Sequence, residues 1–299
     1  KKDTAGKMND YKSNQANKGA IARKSWVTSE NKISGIMKLH SPLFLIKPYL
    51  MSFLNVDITL NRVTNHDFLF MSLDGATFKF KIDSIIFRIR KVKLVSSYVE
   101  SIEQMLFKMG EPITYPLHDS RVFTKTYPGY GTEIIEDNLF HGVMPERIIV
   151  GFVNNRAYNG HKQENPFYFQ HKNITEIGIF LNGMPHPLPM IQMNFDKHDV
   201  HRIFHHMLDA MQSVDPANGV VAINRDEFEQ GYTLFHFDMS PDQAGGLNHQ
   251  SLYNQPANVK LHIKFKQGTP TDTITLVVYY EITSRMLVDS SRQVQVFSK

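Results

Sequence analysis

The sequence contains no cysteine and a single tryptophan among its 299 residues. Without a thiol it can build neither a disulfide framework nor a thiolate metal site. No basic-then-apolar leader of the secretory kind opens it, and folding in a reducing compartment is the expectation. No apolar run approaches the length needed to cross a bilayer, since the greasiest stretch, residues 42–56, is broken by Lys47 and Pro48. Catalytic signatures are missing too: there is no Gly-x-Ser-x-Gly elbow, phosphate-binding loop or dinucleotide fingerprint. The formal charge of +4 is too small for this length to demand nucleic-acid binding by bulk charge. These absences point away from an enzyme and from a cofactor binder, and toward a protein whose work is structural.

What is present is strand patterning. Residues 1–34 are polar and rich in Lys, Asn and Ser, which predicts a flexible segment or long loop. From there Val56, Ile58 and Leu60 alternate with Asp57 and Thr59, and Phe78, Phe80 and Ile82 with Lys79 and Lys81. That period of two marks strands with one buried face. The parity switches at Asp83-Ser84, where Ile85, Phe87 and Ile89 take over, so a bulge or break belongs there. Ser97 with Glu100 forms a capping-box signature, and Val99, Ile102, Leu106 and Met109 follow at helical spacing until Gly110 and Pro112. Residues 95–112 therefore read as a linker helix between strands at 35–94 and a second β domain at 113–299.

That domain contains short strands separated by turns, among them residues 121–126, 148–153 and 177–181, the last running into the hairpin dipeptide Asn182-Gly183. One helix interrupts it, traced by Val200, Ile203, Phe204, Met207, Leu208 and Met211, with Pro216 and Gly219 beyond. Then come residues 232–237, the alternation Val259, Leu261, Ile263 and Phe265, and a last long strand from Ile274. Many short strands with few helices predict an all-β sandwich or jelly roll. A weak internal repeat supports two such domains. Ile36-Met-Lys-Leu-His-Ser-Pro followed by Asn55-Val-Asp-Ile resembles Leu234-Phe-His-Phe-Asp-Met-Ser-Pro followed by Asn258-Val-Lys-Leu, at an offset of about 200 residues.

The histidines at 198, 201, 205 and 206 are the main chemical temptation. His201 and His205 sit at i and i+4, where two imidazoles could share a metal, but no Glu lies between them as a metalloprotease needs. A solvated helix face is the simpler reading, and a pH-sensitive contact a third. A cupin enzyme needs a His-x-His followed by Glu; the nearest approach is His236-Phe-Asp238. Asn173-Ile-Thr175 fits a glycosylation sequon but reads better as the approach to a strand. The cations Lys1, Lys2, Lys7, Lys12, Lys18, Arg23 and Lys24 could touch nucleic acid weakly, by counterion release, or lie on a solvated loop.

Several motifs occur in one order: Leu139-Phe-His-Gly-Val-Met-Pro-Glu-Arg-Ile-Ile-Val-Gly-Phe-Val-Asn-Asn, Ala157-Tyr-Asn-Gly, Asn165-Pro-Phe-Tyr-Phe-Gln-His, Gly231-Tyr-Thr-Leu-Phe-His-Phe-Asp-Met-Ser-Pro-Asp, and the strands between Leu261 and Tyr280. Together they resemble the double-jelly-roll major capsid proteins of Polinton or Maverick elements and their adintovirus relatives, over about residues 34–296. The resemblance implies a double jelly roll of the viral capsid type with a linker helix and one inserted helix. It also implies homotrimeric, pseudo-hexameric capsomers that tile an icosahedral virion, and no cofactor. Implied partners are copies of the same chain, neighbouring capsomers, and penton or minor capsid proteins; synthesis would be in the host cytoplasm or nucleus. Against the family pattern, the first half of the first jelly roll is absent, and a further chain supplying those strands is the corresponding expectation. Trimer contacts in such a protein should carry an apolar, aromatic centre, for which Tyr158, Phe167, Tyr168 and Phe169 are the candidates, with core packing as the alternative for each. The competing functional reading is a carbohydrate- or protein-binding jelly roll, the product of a domesticated element.

Overall fold

The computed structural model describes residues 2–10, 16–46, 48–62, 71, 79–211, 223–240, 256–268 and 270–297. Phe78, Pro216, Gly219, Pro241 and Asp242, each used in the sequence reading, lie outside the described residues. The chain divides into two compact units. One comprises Lys1–Lys38, Asn65–Thr77 and Ser120–Ile282, the other Leu39–Thr64, Phe78–Asp119 and Thr283–Lys299.

In chain order the elements are α1 (Lys18–Lys24), α2 (Pro42–Leu45), α3 (Ser96–Glu103), β1 (Ile113–Tyr127), β2 (Glu133–Glu136), β3 (Arg147–Asn154), α4 (Asn155–Tyr158), β4 (Ile174–Leu181), β5 (Met184–Pro185), β6 (Ile191–Gln192), α5 (His201–Ala210), α6 (Arg225–Glu229), β7 (Leu234–Asp238), β8 (Val259–Phe265), β9 (Ile274–Val288) and β10 (Val294–Phe297). The fold is all-β. One sheet has the order β1-β9-β3-β7 with β10 on β9, the other β2-β8-β4-β5 with β6 on β4. β1 to β4 alternate between the sheets and β6 to β9 do so again, so the long strands β1 and β9 become neighbours. That winding is the jelly roll. The division between units falls inside β1 and β9.

Period-two alternation explains why these segments pair this way. Along β8, Val259, Leu261, Ile263 and Phe265 are buried while Lys260, His262 and Lys264 face outward. On β3, Ile148, Val150 and Phe152 enter the same core, and Phe152 meets Phe265 of the opposite sheet edge-on, with ring centroids 5.8 Å apart. The outward face of the second sheet is a charge ladder in which His262 bonds Glu133 and Lys264 lies 2.8 Å from Glu176. Asn182 and Gly183 both adopt positive φ, 50° and 85°, which is the hairpin turn read from their identities. The inserted helix α5 buries Ile203 and Met207, with Val200 at its start, as its apolar stripe predicts.

α6 shows a capping box that the sequence reading passed over. The Glu227 amide donates to the Asn224 side chain at 2.8 Å, and the Glu227 carboxylate accepts from the Asn224 amide at 3.0 Å. Asn224→Ala is expected to cost about 1 kcal/mol, measured as a shift in the urea unfolding midpoint.

Three segments add to the sequence expectations. First, of the polar residues 1–34, read as a flexible segment or long loop, residues 2–10 and 16–24 belong to the first unit and bond to it. Met8 is buried, the Gly6 amide donates to the Gln230 carbonyl, and the Tyr232 hydroxyl donates to the Asp3 carbonyl at 2.8 Å. The buried Asn17 caps α1 and ties back to Thr4. A polar composition withheld apolar area but supplied enough directed hydrogen bonds to fix the segment around one methionine. Second, no Ser97 capping box forms, because the N-cap of α3 lies two residues earlier, at Val95, which makes no side-chain cap. Third, the alternating segments at 56–60 and 79–89 carry no ladder among the described residues, and Leu60, Ile82, Ile85 and Ile89 are exposed. Alternation marks a face to be buried, yet a strand exists only beside a partner that takes its backbone hydrogen bonds.

The second unit has its own small core. Tyr115, Leu117, Met286 and Val288 pack with Leu43, Ile46, Leu50 and Phe53. The Met51 amide donates to the Tyr115 hydroxyl at 3.2 Å, and burial raises that phenol's pKa. The Arg292 guanidinium lies 5.4 Å over the Phe53 ring.

Candidate functional site

The four aromatic residues proposed as contacts separate into two pairs. β3 ends in α4, whose last residue, Tyr158, is partly exposed and donates its hydroxyl to Thr124 Oγ1 at 3.3 Å. The following loop is fixed by Asn165, which is buried. Its amide nitrogen donates to Asn9 Oδ1 at 2.8 Å, its side-chain nitrogen to the Asp3 carboxylate at 2.9 Å, and its side-chain oxygen accepts from the Phe167 amide at 2.9 Å. This anchoring turns Phe167 outward, leaving it 65% exposed. Tyr168 and Phe169 turn inward instead. The Tyr168 ring packs on Gly231 and Phe169 covers Gly151, where a Cβ would come within 2.6 Å of its ring. Phe167 is thus exposed on a loop held by Asn165, while Tyr168 and Phe169 pack against glycines within the same unit.

The histidine cluster is dispersed. His198 has a left-handed backbone and its Nδ1 lies 2.6 Å from the Glu229 carboxylate. His201 is exposed and faces the Arg225 guanidinium at 3.4 Å. His205 points to solvent, and His206 lies against Phe237 with centroids 5.7 Å apart. Among the described residues no group of three His, Asp or Glu side chains could hold a metal. His236 and Asp238 sit on the outward face of β7, while their neighbours Phe235 and Phe237 enter the core. Asn173 takes a left-handed turn and β4 begins at Ile174, as the strand reading of that sequon required.

A cleft of about 250 Å³ lies beside this loop, bounded by Tyr168, His171, Lys172, Glu229 and Pro270. Of its charged groups, Lys172 donates to Asn154, and Glu229 holds His198 through Oε2 while its Oε1 is buried without a hydrogen-bond partner among the described residues. His171 stacks on Phe195 at 4.2 Å, and burial lowers the pKa of both His171 and Lys172. No helix among the described residues is long and apolar enough to cross a membrane.

No family profile matches the chain. It is similar to the uncharacterized protein F54H12.2 of Caenorhabditis elegans, with 26% identity over 216 residues, which is 72% of this chain and 51% of that protein. The chain thus spans about half the length of this curated relative. Among solved structures it is similar to VP54 of PBCV-1 fitted into the virophage Sputnik, with 10% identity, a TM-score of 0.42, and coverage of 69% of this chain and 55% of that one. It is also similar to the major capsid protein of mavirus, with 10% identity, a TM-score of 0.33, and coverage of 64% and 42%. A third is the PBCV-1 capsid, with 11% identity, a TM-score of 0.38, and coverage of 64% and 52%.

Proposed function

We propose that this chain is a major capsid protein of the double-jelly-roll class, a subunit of trimeric, pseudo-hexameric capsomers in an icosahedral shell, and that its role is geometric and not catalytic. The observation that carries the reading is the complete jelly-roll strand order with one sealed core and an outward Phe167 on an anchored loop. The ordered motifs between residues 139 and 242, which resemble Polinton and adintovirus capsid proteins, support the same reading.

On this reading residues 35–94 are closing strands of a first jelly roll, residues 95–112 the linker, and residues 113–299 the second jelly roll. On that arrangement the exposed alternation at 56–60 and 81–89 lies against the remaining strands of the first jelly roll, which a further chain supplies. The remaining partners are copies of the chain, neighbouring capsomers, and penton or minor capsid proteins, and the assembled location is the virion. Tyr158 and Phe167 are the residues expected at subunit contacts.

The test is light scattering and negative-stain microscopy of the full chain and of Phe167→Glu. Trimers or shells are expected from the unaltered chain. The substitution should weaken association by about 2 kcal/mol or more, as truncation of a central contact does, while its urea midpoint moves little. A chain that stays monomeric at every concentration, and binds a glycan or peptide instead, would replace this reading with that of a ligand-binding jelly roll.

A further inference from the structure

The outward face of the first sheet carries three rows of cross-strand neighbours over β7, β3 and β9. Leu234, Gly151 and Val277 form one row, His236, Ile149 and Tyr279 the next, and Asp238, Arg147 and Glu281 the third. The rows are two residues apart and share one face. In the third row the cation lies between two carboxylates: Arg147 is 3.4 Å from Glu281 and opposite Asp238 in register. Asp238 also accepts from the amide and the hydroxyl of Ser240.

The middle row has no comparable balance. His236 is only 3% exposed, and among the described residues neither of its ring nitrogens has a hydrogen-bond partner. Beside β7 packs α5, which presents His206, whose Nε2 is likewise buried without a partner. Buried polar groups are nearly always bonded, so two unsatisfied imidazoles at the junction of one helix and one edge strand require a reason. The second sheet offers a contrast, because its His262 is met by Glu133.

We propose that the junction of α5 with β7 is an acid-sensitive latch, in which protonation of His236 and of the adjacent His206 loosens α5 from the sheet and uncovers the β7 edge. The groups facing His236 are Arg147 from β3, Asp238 from β7 and His206 from α5. His206 faces Asp209, Arg202 and His205 of its own helix, and Asp238. Asp238 favours charge on both rings and Asp209 favours it on His206, whereas Arg147, Arg202 and the neighbouring imidazoles oppose it. Burial outweighs them all: His236 is pushed down to about 3 by desolvation first and by Arg147 second, and desolvation also lowers His206.

The sign follows from proton uptake. The unfolded or opened chain takes a proton on His236 as pH falls through about 6.5, while the closed form stays neutral until far lower pH. Stability is therefore full above that value and declines continuously below it. A carboxylate whose pKa is depressed would lose stability only at more acidic pH, which separates the two causes.

Urea unfolding of the full chain at pH 7 and pH 5 tests the latch. From His236 alone the unfolding constant should rise about 25-fold between those values, and His236→Leu should remove that rise. Hydrogen exchange on the unaltered chain, corrected for the intrinsic pH dependence of exchange, supplies a second measurement that needs no variant. Protection should fall at pH 5 over 201–210 and 234–238 and persist over 259–265. Equal stability at both pH values, a His236→Leu chain as acid-sensitive as its parent, or protection lost evenly along the chain would each overturn the proposal. None of these readouts depends on assembly, so they stand apart from the capsid reading.

Discussion

Phe228→Ala is expected to lower stability by about 3–5 kcal/mol, the range for emptying a fully buried aromatic site. Phe228 has no exposed surface and sits where four elements meet. Its centroid lies 6.1 Å from Phe235 of β7 at nearly a right angle, 5.7 Å from Phe204 of α5, and 6.4 Å from Phe195 in the short 3-10 turn Phe195–Lys197. Each neighbouring ring is held by a different stretch of chain, so the site has little freedom to collapse onto the space left by the missing ring. The loss should register as a lower urea midpoint with an unchanged slope. A loss below about 1 kcal/mol would mean that the ring cluster repacks and that α5 and α6 are not fastened to the sheet through it.

The same ring cluster shows what was legible in the sequence. Strand β8 and helix α5 announce themselves, because each buries one face, and a face repeats at a period of two or 3.6 residues over seven or more positions. The short strands β2 and β10 do not. Glu133-Ile-Ile-Glu136 is too brief for its parity to stand out, and all four residues of β10 are exposed. Alternation also marks 56–60 and 79–89, which form no ladder among the described residues, since a sequence states which side of a strand is apolar without stating what lies beside it. For the contact site, the sequence pointed to four aromatics in one region, and geometry divided them. Nothing in their identities separates Phe167 from Phe169; what separates them is Gly151, 18 residues before Phe169, whose missing side chain makes room for that ring. His236, weighed in the sequence only as part of a cupin-like His-x-Asp, was not legible as a buried group for a related reason. In Leu234-Phe-His-Phe-Asp238 the alternation assigns the imidazole to the outer face, and an outer face is ordinarily wet. Here α5 packs against β7, and that packing joins residues with about 30 positions between them in the chain.

Gly231→Val should destabilise the chain by about 3 kcal/mol or more through two separate effects. The first is conformational. Gly231 has φ of +122°, a region a β-branched residue does not enter without strain. The second is steric, because a Cβ would fall 2.5 Å from the Tyr168 ring and 3.1 Å from Met8 Sδ. Relief of the clash requires both side chains to withdraw, and Met8 is the buried anchor of residues 2–10. Its neighbours on that segment would lose their seats too, since Gly6 bonds the Gln230 carbonyl and Asp3 receives the Tyr232 hydroxyl on either side of the glycine. The substitution should therefore expose residues 2–10 and 16–24 to protease while strands β1 to β4 and β7 to β9 stay resistant. Met8→Ala separates the two effects. It removes the anchor without straining the backbone, so it should reproduce the cleavage at a cost nearer 2 kcal/mol. If Gly231→Val leaves the segment as resistant as before, docking of the segment is independent of the glycine, and the hydrogen bonds of Asp3 and Asn165 hold it unaided.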